Sequence, residues 1–261
     1  MLLLREARQV APELPRAHRA HEGFRRQARD PDAHESRDAG PRGRRARAVR
    51  AGRHGGRGVT LASFLDRLAS GEPAPGGGAA AALAGATAAA LVAMACRVTA
   101  RRAPSEALVA AVDAADDLRH RLMTLMHDDI EAYTSVLESR RAPSARRGPL
   151  LEAAMRRATT VPLDTARAAA DVLELSATLL EAVRASVVGD LGVAVALAGA
   201  ALDASALNAH INLQEIAEDD FARAARDTLE RLAAGAHARR ALAQRIAARA
   251  GAAGHDAGGR A

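Results

Sequence analysis

The amino-acid sequence predicts an all-α protein, a multi-helix bundle of long Ala-rich helices preceded by a disordered N-terminal segment. Three observations support this prediction. Apolar residues make up 49% of the 261 residues, enough for a core, whereas aromatic residues make up only 2%. A core without rings must be filled by Ala, Leu and Val, which suits closely packed helices better than a β-sheet. Apolar residues also recur at helical spacing from residue 60 onward, without a strand–helix–strand pattern.

The N-terminal segment, residues 1–58, is expected to be disordered. It holds 15 Arg and 7 acidic residues and has no sustained apolar period. Residues 59–261 hold 22 Arg and 24 acidic residues, a net charge of −2. The basic character therefore belongs to this segment and not to the predicted folded domain, residues 59–250. A flexible Gly/Ala tail is expected over 251–261. With few rings for base stacking and no basic folded domain, no specific nucleic-acid partner is expected.

The number of cysteines and the length of the apolar runs indicate the cellular compartment. Cys96 is the single cysteine, which excludes an internal disulfide and a thiolate zinc site. The apolar run Leu2–Leu4 is too short for a signal-peptide core, so a cytoplasmic location is expected. The run Ala79–Cys96 is nearly all apolar, and a membrane span is an alternative. We favour a helix buried in a bundle, and no membrane partner, because the run is mostly Ala and no second such segment is recognised.

The elements follow in order along the chain. Thr60 is predicted to cap a short helix over 61–70, and a Pro- and Gly-rich loop follows it. The remaining predictions are a helix over 79–102, a helix over 105–139, a loop over 140–149, a helix over 150–184 with a kink or break at Pro162, a helix over 187–206, a short helix over 208–220 and an amphipathic helix over 221–250.

Three glycines precede the long Ala-rich helix, in Pro75-Gly76-Gly77-Gly78. Glycines at a helix start expose backbone N–H groups with little steric cover, and the helix dipole adds to their attraction for anions. A phosphate or carboxylate is one predicted occupant. A close-packing turn is an equally good interpretation. The turn is not a phosphate-binding P-loop, because no Gly-Lys-Ser/Thr sequence follows it.

Two aspartates interrupt apolar helix faces. Asp129 lies three residues after Met126 and four before Tyr133, both on the apolar stripe of their helix. Asp190 precedes Val193 on a similar stripe. A carboxylate facing a core needs partners or stays protonated, which makes both residues candidates for acid–base work. The structural alternatives are a boundary position for Asp129 and a carboxylate favoured by a helix N-terminus for Asp190.

Polar residues continue the stripe of Asp190. Asn208 and Asn212 lie four residues apart and either orient a polar ligand or cap a helix break. The histidines, by contrast, show no metal-ligand spacing, and no nucleophile elbow or dinucleotide fingerprint is present. We therefore expect an acid–base site without a metal ion or prosthetic group.

Five stretches together resemble the cyclodeaminase/cyclohydrolase family, which includes the C-terminal domain of formimidoyltransferase-cyclodeaminase and related methenyltetrahydrofolate cyclohydrolases. The resemblance covers about 60–221. The matching stretches, in order, are Thr60 to Gly85 with its triple glycine, Asp129-Ile-Glu-Ala-Tyr133, Ala158-Thr-Thr-Val-Pro-Leu163, Gly189-Asp-Leu-Gly-Val-Ala194 and Asn208-Ala-His-Ile-Asn-Leu213.

The resemblance implies an all-helical homodimer that acts on a tetrahydrofolate derivative without a prosthetic group. The implied chemistry is ring closure of 5-formimidoyltetrahydrofolate with release of ammonia, or hydrolysis of the 5,10-methenyl form. Asp190 and Asp129 are the implied catalytic residues. The implied substrate-binding residues are Pro75, Gly76, Gly77, Gly78, Tyr133, Asn208 and Asn212.

Two departures from the family pattern remove polar groups. Ala79 stands where the family usually has Ser, and Ala185-Ser-Val-Val188 replaces the Asn/Ser-rich stretch that many members carry before the aspartate. They leave open an alternative, a catalytically inactive helical dimerisation or scaffold protein of the same fold. Asp129 and Asp190 lying far apart and solvated would favour that alternative.

Overall fold

The computed structural model describes residues 60–258, with side chains up to residue 251. The predicted segment 1–58 lies outside these residues. The all-α prediction is confirmed, since regular structure from residue 60 to residue 258 is helical throughout. The helices are α1 (Leu61–Leu68), α2 (Gly77–Ala100), α3 (Glu106–Arg141), α4 (Ser144–Leu179), α5 (Val188–Leu213), α6 (Asp220–Ala234) and α7 (Ala236–Gly258), with a 3-10 turn (Ala185–Val187) before α5.

The centre of the bundle is built from α2 and α5. Helix α2 packs against α3, α4 and α5, and α5 also packs against α4 and α7. Small side chains let these helices approach closely. A Cβ placed on Gly85 of α2 would lie 3.0 Å from Leu122 of α3, tighter than an ordinary contact. The core is therefore made of Ala, Val and Leu at short interhelical distances, as the scarcity of aromatic residues predicts.

Side-chain caps fix three helix starts. Thr60 accepts a hydrogen bond from the Ser63 N–H, which confirms the predicted cap of α1. Ser105 caps α3 in the same way. Asp219 caps α6, where the Ala222 N–H and the Arg156 guanidinium hold the pKa of its carboxyl below the ordinary value. Each cap satisfies a backbone donor that has no partner within its helix.

Several predicted boundaries were wrong. The loop over 140–149 is short, because α4 begins at Ser144 and includes Pro149. Helix α4 also continues through Pro162 without a break. The predicted short helix over 208–220 does not exist as a separate element, since α5 extends to Leu213. The predicted helix over 221–250 is two helices that meet near Gly235. The last helix extends to Gly258, past the start of the expected tail.

The expectation of one long apolar segment was also wrong. By length and composition, both Gly77–Ala100 and Ala185–Leu213 are apolar enough to cross a membrane. Their burial differs: 61% of the most apolar stretch in the first lies inside the bundle, but only 44% in the second. Helix α5 therefore combines a strongly apolar sequence with a large uncovered surface.

Candidate active site

A cavity of about 300 Å³ lies where the turn before α2, the middle of α3 and the end of α5 meet. Its volume is at the lower end of the range for small-molecule sites. Seven predicted site residues line it, namely Gly76, Gly77, Gly78, Asp129, Tyr133, Asn208 and Asn212. Pro73, Ala74 and Ile211 also line it, and the sequence analysis did not single them out.

The Asp129 carboxylate lies directly against Gly78 at the start of α2. A Cβ built on Gly78 would lie 2.8 Å from Oδ2 of Asp129 and closer still to Oδ1. Any residue larger than glycine would displace the carboxylate. The third glycine, Gly78, therefore cannot be a larger residue, because it contacts Asp129. The same contact places the carboxylate beside the first turn of α2.

Burial and one hydrogen bond set the ionisation of Asp129 in opposite directions. Loss of solvent raises the pKa of its carboxyl above the ordinary value, and this effect is the larger one. The Ala79 N–H donates a hydrogen bond to the carboxylate and lowers the pKa by less. Asp129 therefore keeps its proton up to a higher pH than an exposed aspartate does, which suits a group that takes up and returns a proton.

The other two glycines have open space around them. A Cβ on Gly76 or Gly77 would meet no heavy atom within 4 Å. Gly76 has an extended backbone, with φ −130° and ψ −161°, which other residues adopt too. The start of α2 is also less suited to an anion than predicted, because the Asp129 carboxylate already lies there. The carboxylate would repel an anionic ligand and attract a cationic one.

The turn before α2 is held from α1. Arg67 donates a hydrogen bond to the Ala74 carbonyl at 3.2 Å. Pro75 is buried and does not line the cavity, unlike its neighbours Pro73 and Ala74. Pro75, predicted to bind substrate, instead packs within this turn. Arg67 is a positioning residue that no sequence pattern indicated.

Tyr133 and Asn208 are the polar groups free to meet a ligand. Tyr133 follows Asp129 by one turn of α3, and 44% of its surface is exposed. Asn208 is half-buried, and within residues 60–251 its side chain makes no hydrogen bond. An unsatisfied amide at a cavity wall can both donate to and accept from a polar ring system.

The side chain of Asn212 has a structural role as well as a place in the cavity wall. Its Nδ2 donates to the Ala158 carbonyl on α4 at 2.6 Å. That carbonyl lies four residues before Pro162, which has no N–H to bond it. Asn212 thereby replaces the missing helical hydrogen bond, which explains why α4 continues through Pro162. Its side chain still lines the cavity through its remaining surface.

Asp190 lies away from this cavity within the chain. It occupies the first turn of α5, whereas Asn208 and Asn212 lie near the other end. The eighteen residues from Asp190 to Asn208 correspond to about 27 Å of helix. Asp190 is half-buried, and no cation lies within ion-pair distance of it in the described part of the chain. The structure therefore brings Asp129 together with the predicted binding residues but does not bring Asp190 to them.

An all-helical fold with a half-buried carboxylate in a small cavity defines a domain suited to acid–base chemistry on a small molecule. Residues 60–231 match the family model of the formiminotransferase-cyclodeaminases. The chain belongs to the formiminotransferase-cyclodeaminase family. The resemblance drawn from the five sequence stretches is thereby confirmed.

Two relatives support the same assignment. The chain is 35% identical over 189 residues to a methenyltetrahydrofolate cyclohydrolase from Methylorubrum extorquens, and the match covers 69% of this chain and 91% of the relative. The fold is similar to the crystal structure of formiminotetrahydrofolate cyclodeaminase from Thermotoga maritima. That comparison has a TM-score of 0.66 and 27% identity, and covers 74% of this chain and 96% of the other.

Proposed function

We propose that this protein is a folate-dependent one-carbon enzyme that hydrolyses 5,10-methenyltetrahydrofolate. The observation that carries the proposal is the Asp129 carboxylate, which faces a cavity that contains no other charged side chain among its described lining residues. The methenyl substrate carries its positive charge on the carbon between two ring nitrogens. A single half-buried carboxylate beside that carbon stabilises the cation and orders the attacking water.

Asp129 can move one proton through the whole reaction. Water adds to the methenyl carbon, and its proton passes to the Asp129 carboxylate. The bond from this carbon to one ring nitrogen then breaks, and the Asp129 carboxyl returns the proton to that nitrogen. The remaining hydroxyl proton goes to solvent, and a formyl group stays on the other nitrogen. A carboxyl with a raised pKa suits both halves of this cycle.

The substrate's fused rings fit the cavity better than the whole folate does. A volume of about 300 Å³ is of the size of the three fused rings of the methenyl substrate, and the glutamate tail would extend through the open side past Tyr133. Asn208 is positioned to bind polar ring edges. No prosthetic group is part of the proposal. The proposal also includes a homodimer, supported by the uncovered apolar surface of α5. It further places the protein in the cytoplasm, without membrane or nucleic-acid partners.

Cyclisation of 5-formimidoyltetrahydrofolate is the second candidate, favoured by the likeness to the Thermotoga maritima enzyme. In that reaction the amine N10–H outside the pterin rings attacks the formimidoyl carbon, the new carbon–nitrogen bond closes a ring, and the formimidoyl nitrogen leaves as ammonia. The two reactions share the methenyl compound, so one absorbance measurement separates them. Hydrolysis removes the methenyl chromophore, whereas cyclisation creates it with release of ammonia. No change with either substrate favours the inactive scaffold of the same fold.

A further inference from the structure

A second cavity, of about 550 Å³, lies where α4, α5, α6 and α7 meet. It shares no lining residue with the cavity that contains Asp129. Small side chains leave this space open, because the chain turns at Gly235 between α6 and α7 and alanines of α4 and α7 line the walls. The volume lies within the range of small-molecule sites. The fold therefore holds a second space in which a ligand can bind.

The walls of this second cavity are mostly apolar. Each of the four helices contributes a leucine, namely Leu173 of α4, Leu202 of α5, Leu232 of α6 and Leu242 of α7. Three of them, Leu173, Leu202 and Leu242, are buried. An empty space beside buried leucines leaves their surface without contact partners, and apolar molecules bind in such spaces. A ligand of this cavity therefore needs an apolar body.

The charged lining residues favour an anion. Arg231, Arg239 and Arg245 line the cavity against one carboxylate, Glu174, so three positive charges and one negative charge leave a formal charge of +2. Arg231 donates a hydrogen bond to the Thr228 hydroxyl at 3.0 Å, and in residues 60–251 no carboxylate lies within ion-pair distance of it. The cavity therefore has a cation that no acidic residue of the described chain neutralises.

Arg239 also has a hydrogen-bond donor without an acceptor. Its Nη2 donates to Oδ1 of Asp203 at 2.8 Å, whereas its Nη1 is buried and has no acceptor in the described part of the chain. Only 19% of the Arg239 side chain is exposed. A buried guanidinium N–H without an acceptor is costly, and a carboxylate oxygen of a ligand would satisfy it with a charge-assisted hydrogen bond. Arg245, by contrast, already bonds Glu181.

We propose that this second cavity binds an apolar monocarboxylate, a fatty acid of medium length, with its carboxylate on Arg239 and its hydrocarbon chain among the four leucines. A single negative charge suits the site, because a second one would meet apolar walls and the Glu174 carboxylate. The neutral Thr228 hydroxyl leaves Arg231 able to attract the same carboxylate. The proposal does not depend on folate turnover, because the two cavities share no lining residue.

Titration calorimetry of the full chain with sodium octanoate tests the proposed role of Arg239. Wild-type protein is expected to bind octanoate saturably and to melt at a higher temperature in its presence. Arg239→Gln is expected to weaken binding at least about tenfold, because a charge-assisted hydrogen bond is lost. Arg240→Gln is the matched control, since Arg240 is an exposed neighbour on α7 that does not line the cavity. Equal weakening by the two substitutions, or no saturable binding by wild-type protein, overturns the proposal.

Two further probes and two further variants test the ligand class and the place of binding. Octanol has the chain without the carboxylate and is expected to bind at least about tenfold more weakly than octanoate, and acetate has the carboxylate without the chain and is expected not to bind saturably. Ala241→Phe fills the cavity and is expected to remove octanoate binding from a protein that still melts cooperatively. Asp129→Asn is expected to keep it. Octanol binding as tight as octanoate binding, full binding by folded Ala241→Phe, or loss of binding in Asp129→Asn overturns the proposal.

Discussion

Asn212 of α5 donates a hydrogen bond to the Ala158 carbonyl of α4, the carbonyl that Pro162 leaves without a helical donor. The bond joins two stretches that lie 54 residues apart in sequence. It holds the end of α5 against α4 at the cavity wall. The position of Asn208, one turn earlier on α5, depends on the same contact.

Asn212→Leu is expected to destabilise the fold by about 1 kcal/mol, because a partly buried carbonyl loses its donor. Pro162→Ala restores an N–H that can bond the same carbonyl. In the Pro162→Ala background, the cost of Asn212→Leu should therefore fall by about 1 kcal/mol. Denaturant unfolding of the four proteins measures both values. An unchanged cost in the two backgrounds would show that Asn212 does not replace the helical bond.

Gly78→Ala is expected to displace the Asp129 carboxylate, because the new methyl group would occupy its place. Overpacking of this kind costs about 1–3 kcal/mol, and misplacing the reacting carboxylate should lower turnover about 100-fold. Gly77→Ala is the matched control, since its methyl group would meet open space. Steady-state kinetics and thermal melts of both variants check this. Equal losses in the two variants would contradict a specific contact with Asp129.

The stability of Asp129→Asn relative to wild type should depend on pH. Burial raises the pKa of Asp129, so the folded protein holds this proton more tightly than the unfolded chain does. The group favours folding below its ordinary pKa, and this contribution is lost as pH rises through the raised value. Asparagine cannot ionise. Asp129→Asn should therefore gain stability relative to wild type as pH rises above the ordinary pKa of aspartate, about 4. A difference that stays constant with pH would contradict the raised pKa.

A chain that begins at Val59 should keep the melting temperature and the dimer of the full chain. The family match begins at residue 60, and residues 1–58 have no apolar period to offset the entropy of ordering, about 1–2 kcal/mol per residue. The same truncation should remove most salt-sensitive affinity for DNA, because residues 59–261 hold 22 Arg against 24 acidic residues. Unfolding of the shorter chain, or full retention of DNA affinity, would contradict this.

Local sequence signals were sufficient for the fold class and for part of the site. The cap at Thr60 and the helical spacing around Asp129 depend on neighbouring residues alone, and the structure has both. Helix continuity at Pro162 was predicted wrongly because the compensating donor, Asn212, comes from another helix. No local rule reports such a tertiary contact.

Two further features of the site could be recognised only from the three-dimensional arrangement. The three glycines look alike in the sequence, but only Gly78 lies against a carboxylate. Asp190 and Asn208 share a helix face, but periodicity gives direction and not position along the axis. Their separation by five turns places them at opposite ends of α5. Sequence periodicity could therefore predict a shared face but not a shared cavity.

The most direct test of the central claim is the absorbance of 5,10-methenyltetrahydrofolate with purified wild-type protein and with Asp129→Asn. If Asp129 transfers the proton, wild-type protein removes the methenyl chromophore, and the variant, although folded, is at least about 100-fold slower. Turnover by Asp129→Asn within about twofold of wild type would contradict the account, because proton transfer would then not pass through Asp129.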